Sequence, residues 1–131
     1  MTNVTLKRMA IFDDDEDLLF IYKYIFEEDG WHVDVFIDCI DIIDKVSAVN
    51  PAIILMDNWI PDTGGVIATQ LLKANESLKG IPVIYVSANN DVSVLAKEAG
   101  ANNFIAKPFN IDELKSIVNN LVNMLCFWYL N

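Results

Sequence analysis

A run of five acids from Asp13 to Asp17, a single Asp57 behind the apolar stretch Ile53 to Met56, Ser87 behind a second such stretch and a Lys107-Pro108 pair are the groups able to do chemistry. Carboxylates brought to one place repel each other and raise one another's pKa unless a cation is present. A hard divalent ion meets that need, and Mg2+ typically takes one or two carboxylates together with substrate phosphate oxygens and several waters. A hydroxyl and an ammonium beside such an ion suit a phosphoryl group, whose transfer depends mostly on positioning and charge neutralisation. Ser87 supplies the hydroxyl and Lys107 the ammonium. One carboxylate then remains to attack phosphorus as an aspartyl nucleophile, and Asp57, alone at its place, is the better candidate.

The elements that must carry these groups follow from periodicity. Met9 to Phe12 reads as a strand and Glu16 to Asp29 as a helix, with Leu18, Leu19, Tyr22, Ile25 and Phe26 at helical spacing before Gly30. His32 to Phe36 alternates as a second strand, and Asp38 opens a helix that Asn50-Pro51 ends. Ile53 to Met56 is continuously apolar, as a strand covered on both faces should be, and Gly64-Gly65 leads into a third helix. Pro82 to Val86, a helix from about Val92 to Ala99 capped by Gly100, Phe104 to Ala106 and a helix from Ile111 complete the series. Strict alternation of five strands and five helices predicts an α/β fold: a doubly wound parallel sheet with right-handed crossovers and helices on both faces. Ligands in that architecture lie beyond the carboxyl ends of the strands, where Asp13, Asp14, Asp57, Ser87 and Lys107 all fall.

Composition narrows the function further. At 131 residues, 53% apolar and 21% charged, the chain is sized for one domain, 1–131, with its core at about 7–125. A net charge of -10 repels phosphate backbones and anionic lipid, which argues against nucleic-acid or membrane partners. Neither a signal peptide nor a run approaching the roughly 20 apolar residues of a bilayer span is present, so a cytoplasmic protein is expected. Cys39 and Cys126 show no metal-ligand or redox spacing and read as packing residues. Met1 and the lack of a linker favour a free-standing protein.

These residues resemble the receiver domains of two-component response regulators, of which the chemotaxis response regulator is a single-domain example. The resemblance runs from about Lys7 to Leu125 and rests on five blocks in order: Ala10 to Asp15, Ile53 to Asp57, Pro61 with Gly65, Pro82 to Ala88, and Gly100 to Phe109. It implies a flavodoxin-like sheet of strand order 2-1-3-4-5. It also implies that Asp57 is phosphorylated from the phosphohistidine of a sensor histidine kinase or phosphotransfer protein, and that the chain then switches a surface toward a downstream protein target. Asp13, Asp14, Asp57 and the Trp59 carbonyl would hold Mg2+, and Ser87 and Lys107 would bind the phosphoryl oxygens. Ser87 and Phe104 would form the switch, Phe104 without the hydroxyl of the commoner Tyr. Such a domain catalyses only its own phosphorylation and dephosphorylation and is otherwise no enzyme.

Plainer readings compete at each position. Asp15, Glu16 and Asp17 are a solvated helix start favoured by the macrodipole. Asp57 with Asn58 could be an ordinary turn, Lys107 a loop lysine, Phe104 a core aromatic, and His32 a surface or packing residue. The apolar tail Met124 to Leu130 exceeds what one helix stripe can bury, so it supplies either intramolecular packing or a self-association surface, hence a homodimer. Two other functions share the residues: a haloacid-dehalogenase-type phosphatase, whose Asp-x-Asp signature Asp13 and Asp15 imitate, and a docking domain that works without phosphorylation. A nucleotide or flavin module lacks the glycine-rich phosphate loop it would need.

Overall fold

A computed structural model of the chain describes residues 7–61, 63–88 and 90–130, with residues 124–130 described by backbone alone. Its elements are β1 (Arg8–Phe12), α1 (Glu16–Glu28), β2 (His32–Phe36), α2 (Ile42–Val49) and β3 (Ile53–Asp57), followed by α3 (Gly65–Ala74), β4 (Val83–Ser87), α4 (Val92–Ala99), β5 (Asn103–Ala106) and α5 (Ile111–Leu130). The five strands form one parallel sheet in the order β2-β1-β3-β4-β5. Alternate side chains of a strand leave on opposite faces. Ala10, Phe12, Ile54, Met56 and Tyr85 accordingly pack with α2, α3 and α4, while Met9, Ile11, Leu55, Ile84 and Val86 pack with α1 and α5. β1, β3 and β4 sit in the middle, and nearly every residue on them is buried, which explains their continuous apolar runs.

The order of the strands locates the site. The chain moves outward from β1 to β2, then returns past β1 to β3 and proceeds the other way, so the winding reverses between β1 and β3. A crevice opens at such a reversal, beyond the carboxyl ends of the two strands. Phe12 pairs with Met56 in the β1–β3 register, so Asp13 and Asp57 stand side by side at that crevice.

The second helix starts later than its periodicity suggests. Asp38 accepts the Ile40 N–H at 3.0 Å and the Lys45 ammonium at 2.7 Å, making a turn, and Asp41 takes a left-handed φ of 54°. A left-handed residue cannot continue a right-handed helix, and α2 begins at Ile42. Pro82 also stays outside its strand, its carbonyl accepting the Ile54 N–H at 3.0 Å. Cys39 is buried, and burial pushes its thiol up to about 12, in keeping with a packing role. Cys126 and the tail Met124 to Leu130 lie outside the described side chains. No helix among the described residues is long and apolar enough to cross a membrane.

The helix that follows the crevice is fastened at both ends. At its start the Gly65 N–H donates to the Asn58 carbonyl at 3.2 Å. At its end the Lys73 ammonium donates to the Ile81 carbonyl at 2.8 Å, the Lys79 carbonyl at 3.2 Å and Asn102 Oδ1 at 2.8 Å. Asn102 Oδ1 also accepts the Val83 N–H at 2.9 Å, so α3 is tied to the amino end of β4.

The close approach at the start of α3 demands glycine. A Cβ on Gly65 would lie 2.4 Å from the Asp57 carbonyl oxygen and 3.0 Å from the Asn58 Cα, both backbone atoms that cannot swing aside. Gly64 has open space around it but adopts φ 81°, ψ 152°, a region closed to other residues at a cost of about 1–3 kcal/mol. Gly65→Ala is therefore expected to lower the urea midpoint more than Gly64→Ala does. Equal losses would mean that backbone conformation, not the overlap with Asp57, governs this corner.

Candidate functional site

Every side chain proposed from the sequence for the phosphoryl site sits at the carboxyl edge of the sheet, though at different depths. Asp13 is 1% exposed and Asp57 4%, whereas Asp14 stands in solvent. Carboxylate oxygens of Asp13, Asp14 and Asp57 lie within 4.8 Å of one another, a donor set of hard oxygens suited to a divalent cation. The Asp13 N–H donates to the Phe36 carbonyl at 3.1 Å, and its Oδ1 accepts the Asp15 N–H at 2.9 Å, which turns the carboxylate into the crevice. Asp15 is occupied elsewhere: its side chain accepts the Leu18 N–H at 3.1 Å and caps α1, as the solvated-start reading expects. An Asp-x-Asp pair working together is thus not what the chain builds here.

Lys107 comes from the end of β5, two strands away from β3. Its backbone N–H donates to the Ser87 carbonyl at 2.9 Å, which fixes its starting point, and its ammonium reaches Asp57 Oδ1 at 2.6 Å and Asp13 Oδ2 at 3.4 Å. The loop-lysine reading does not describe a side chain paired with two buried acids. The peptide bond to Pro108 is cis. Burial alone would lower the pKa of Lys107, but the hydrogen bond and attraction from Asp57, with Asp13 behind it, more than offset this and raise it.

Asp57 is held from the other side as well. Its Oδ2 accepts the Trp59 N–H at 2.8 Å, so each oxygen of the carboxylate has a donor. The Trp59 indole is 73% exposed and sits beside the site in solvent. Ser87 is buried to 1% at the end of β4, next to the strand that ends in Asp57. Phe104 is 40% exposed on the edge strand β5, so it is not a core aromatic; Ile105 takes the buried position there. His32 is exposed, 3.4 Å from Asp34 and far along the strand from the crevice.

One contact was not foreseen. Tyr85, wholly buried on β4, hydrogen-bonds through its hydroxyl to Asn58 Oδ1, directly after Asp57. Burial, with the charge of Asp57 nearby, pushes the phenol up to about 12, so it remains a donor at ordinary pH. The available hint was that a phenol in an apolar strand needs a polar partner. Tyr85 precedes Ser87 by two residues and shares its face, which points toward the loop after β3.

The arrangement is a crevice with a clustered acid set for a cation, one buried carboxylate held at both oxygens, a buried hydroxyl on the neighbouring strand and an ammonium paired with that carboxylate. A family model for the response regulator receiver domain matches residues 9–119. The chain is similar to the CAI-1 autoinducer sensor kinase/phosphatase CqsS of Vibrio cholerae, 30% identical over 111 residues that cover 82% of this chain and 16% of that protein. It is 28% identical over 110 residues to the DNA-binding response regulator MtrA of Mycolicibacterium paratuberculosis, covering 82% of this chain and 48% of that one. The chain thus spans less than half the length of these curated relatives. Among solved structures, the signal receiver domain of a signal transduction histidine kinase from Syntrophus aciditrophicus superposes with a TM-score of 0.82 at 27% identity, over 89% of this chain and 90% of the other.

The crowding of carboxylates has a measurable consequence. Burial, reinforced by the charge of Asp57, raises the Asp13 pKa from 3.8 to about 6 against the opposing pull of the Asp15 N–H and Lys107. A group that binds its proton more tightly when folded contributes stability below its unfolded pKa and loses it as pH rises through the folded value. In chelator, the stability difference between wild type and Asp13→Asn should fall by on the order of 2–3 kcal/mol between pH 4 and pH 7, by urea denaturation. A difference flat across that range would show that Asp13 does not carry this proton.

Proposed function

The chain belongs to the response regulator receiver domain family, and from that premise we propose that residues 1–131 form a single receiver domain that accepts a phosphoryl group on Asp57 from the phosphohistidine of a sensor kinase or phosphotransfer protein. The observation that carries this reading is the enclosure of Asp57 between the Lys107 ammonium and the Trp59 N–H, beside two further carboxylates. In the step, an Asp57 carboxylate oxygen forms a bond to phosphorus as the phosphorus–nitrogen bond to the donor imidazole breaks, and the imidazole leaves with the electron pair. Lys107 neutralises charge on the phosphoryl oxygens, and the Ser87 hydroxyl donates to one of them.

The donor set fits Mg2+: Asp13, Asp14 and Asp57 would hold it, with the Trp59 carbonyl as a further oxygen. When bound, the ion supplies charge neutralisation for the acid cluster and for the transferred group. Phosphorylation then draws Ser87 toward Asp57, and Phe104, already exposed on the edge strand, is the aromatic that responds. The output is a change in a surface read by a downstream protein. The chain acts on its own phosphorylation state and on no separate substrate, and its place is the cytoplasm.

With acetyl phosphate and Mg2+, mass spectrometry should find one phosphoryl adduct per chain, and Asp57→Asn should abolish it. A full-yield adduct on that variant would overturn the assignment. Asp14→Ala should remove the Mg2+-dependent change in Trp59 fluorescence while leaving the fold intact or slightly more stable, since one repelling carboxylate is gone. Unchanged quenching in a Mg2+ titration of this variant would contradict the proposed cation site.

A further inference from the structure

The residue that joins Asp57 to Trp59 is Asn58, and it is held at three points. Its N–H donates to the Val86 carbonyl at 2.9 Å, its carbonyl accepts the Gly65 N–H at 3.2 Å, and its side-chain Oδ1 accepts the Tyr85 hydroxyl. The first two bonds are made by main chain and would exist with any residue at position 58. The third depends on two particular side chains. Nothing about the core requires a phenol at Tyr85: the buried side chains clustered with it on its face of the sheet are apolar. A buried hydroxyl costs free energy unless it is hydrogen-bonded, and the one partner described for this one is the first residue past the phosphoacceptor.

Resting on the proposed phosphoacceptor reading, we propose that Tyr85 is a positioning residue for the reaction of Asp57: its hydroxyl fixes Asn58, and through Asn58 it fixes the Trp59 N–H that holds Asp57 Oδ2. The link is short. Trp59 follows Asn58 directly, and its N–H is the only donor described on Oδ2, at 2.8 Å, while Lys107 holds Oδ1 at 2.6 Å. A carboxylate pinned at both oxygens presents one rotamer to an incoming phosphoryl group, and small displacements of a reacting group cost rate steeply. With the Tyr85 hydroxyl gone, the Asn58 carboxamide loses its anchor, the turn loosens, and Asp57 retains Lys107 but samples more orientations.

Tyr85→Phe keeps the ring and its packing and deletes only the hydroxyl, and Asn58→Ala deletes the acceptor. Phosphorylation by acetyl phosphate at saturating Mg2+ should slow about fivefold in each, the loss expected of one hydrogen bond, and the double variant should be no slower than either single. Urea denaturation run alongside reports stability, which a purely structural bond would lower without changing the rate of the folded protein. A second readout is independent of phosphorylation: exchange of the Trp59 amide hydrogen, followed by NMR, should quicken in Tyr85→Phe. The inference is overturned if Tyr85→Phe is phosphorylated at the wild-type rate, if the two single losses multiply in the double variant, or if Trp59 amide exchange is unchanged. Failure of wild-type protein to be labelled, or labelling of Asp57→Asn, would instead sink the phosphoacceptor reading, and amide exchange would still decide the Tyr85 contact.

Discussion

Two buried carboxylates within hydrogen-bonding range of a common cation are the constraint around which this protein is arranged. Asp13 and Asp57 stand at neighbouring strand ends with almost no solvent access, and left to themselves they would repel. The Lys107 ammonium makes their proximity tolerable by pairing with both. Geometry explains why the partner has a long side chain. β5 does not touch β3, since β4 lies between them, and only a long flexible stem can carry a charge across the intervening strand. The bond from the Lys107 N–H to the Ser87 carbonyl starts that stem at the right level, so the strand it must cross also serves as its base.

The loop after β3 answers a second demand, that the enclosed carboxylate keep one orientation. Its corner is so tight that the main chain of α3 almost touches that of Asp57, which is why glycine occupies position 65. Turning the chain there places the Trp59 N–H under Asp57 and brings Asn58 within reach of Tyr85. Core packing, loop geometry and the chemistry of one carboxylate therefore meet in three consecutive residues, Asp57 to Trp59.

Most of the architecture was legible in the sequence because it depends on local periodicity and on the strand-end rule. Ile53 to Met56 is continuously apolar, as a strand covered on both faces should be, and the alternation around it left few topologies. The reading was weaker where side chains compete with backbone. Asp38 resembles a helix start, but it bonds to Ile40 and Lys45 instead, and Asp41 turns left-handed before α2 begins. Among the five acids, composition cannot say that Asp13 is enclosed, Asp14 exposed and Asp15 spent on a cap; depth is set by the β1–β3 register and the Asp15 bond. Phe104 was ambiguous because β5 is an edge strand, where alternation sends one neighbour inward and the other out. The Tyr85 contact joins residues 27 positions apart, and no local pattern encodes it.

The three hydrogen bonds of Lys73, far from the chemistry, bear on how α3 can move. A helix packed on a sheet only through apolar side chains can slide along it, since such contacts have no direction. α3 is bolted at its carboxyl end to the stretch that precedes β4 and, through Asn102, to the stretch that precedes β5, and sliding would break several polar contacts at once. The freedom that leaves is a pivot, with the fulcrum at Lys73 and the driven arm at Gly65, where the bond to the Asn58 carbonyl couples the helix to the loop after Asp57. A lever mounted this way converts a small displacement beside Asp57 into tilt along its length, carrying the exposed Ile67 and Leu71 with it.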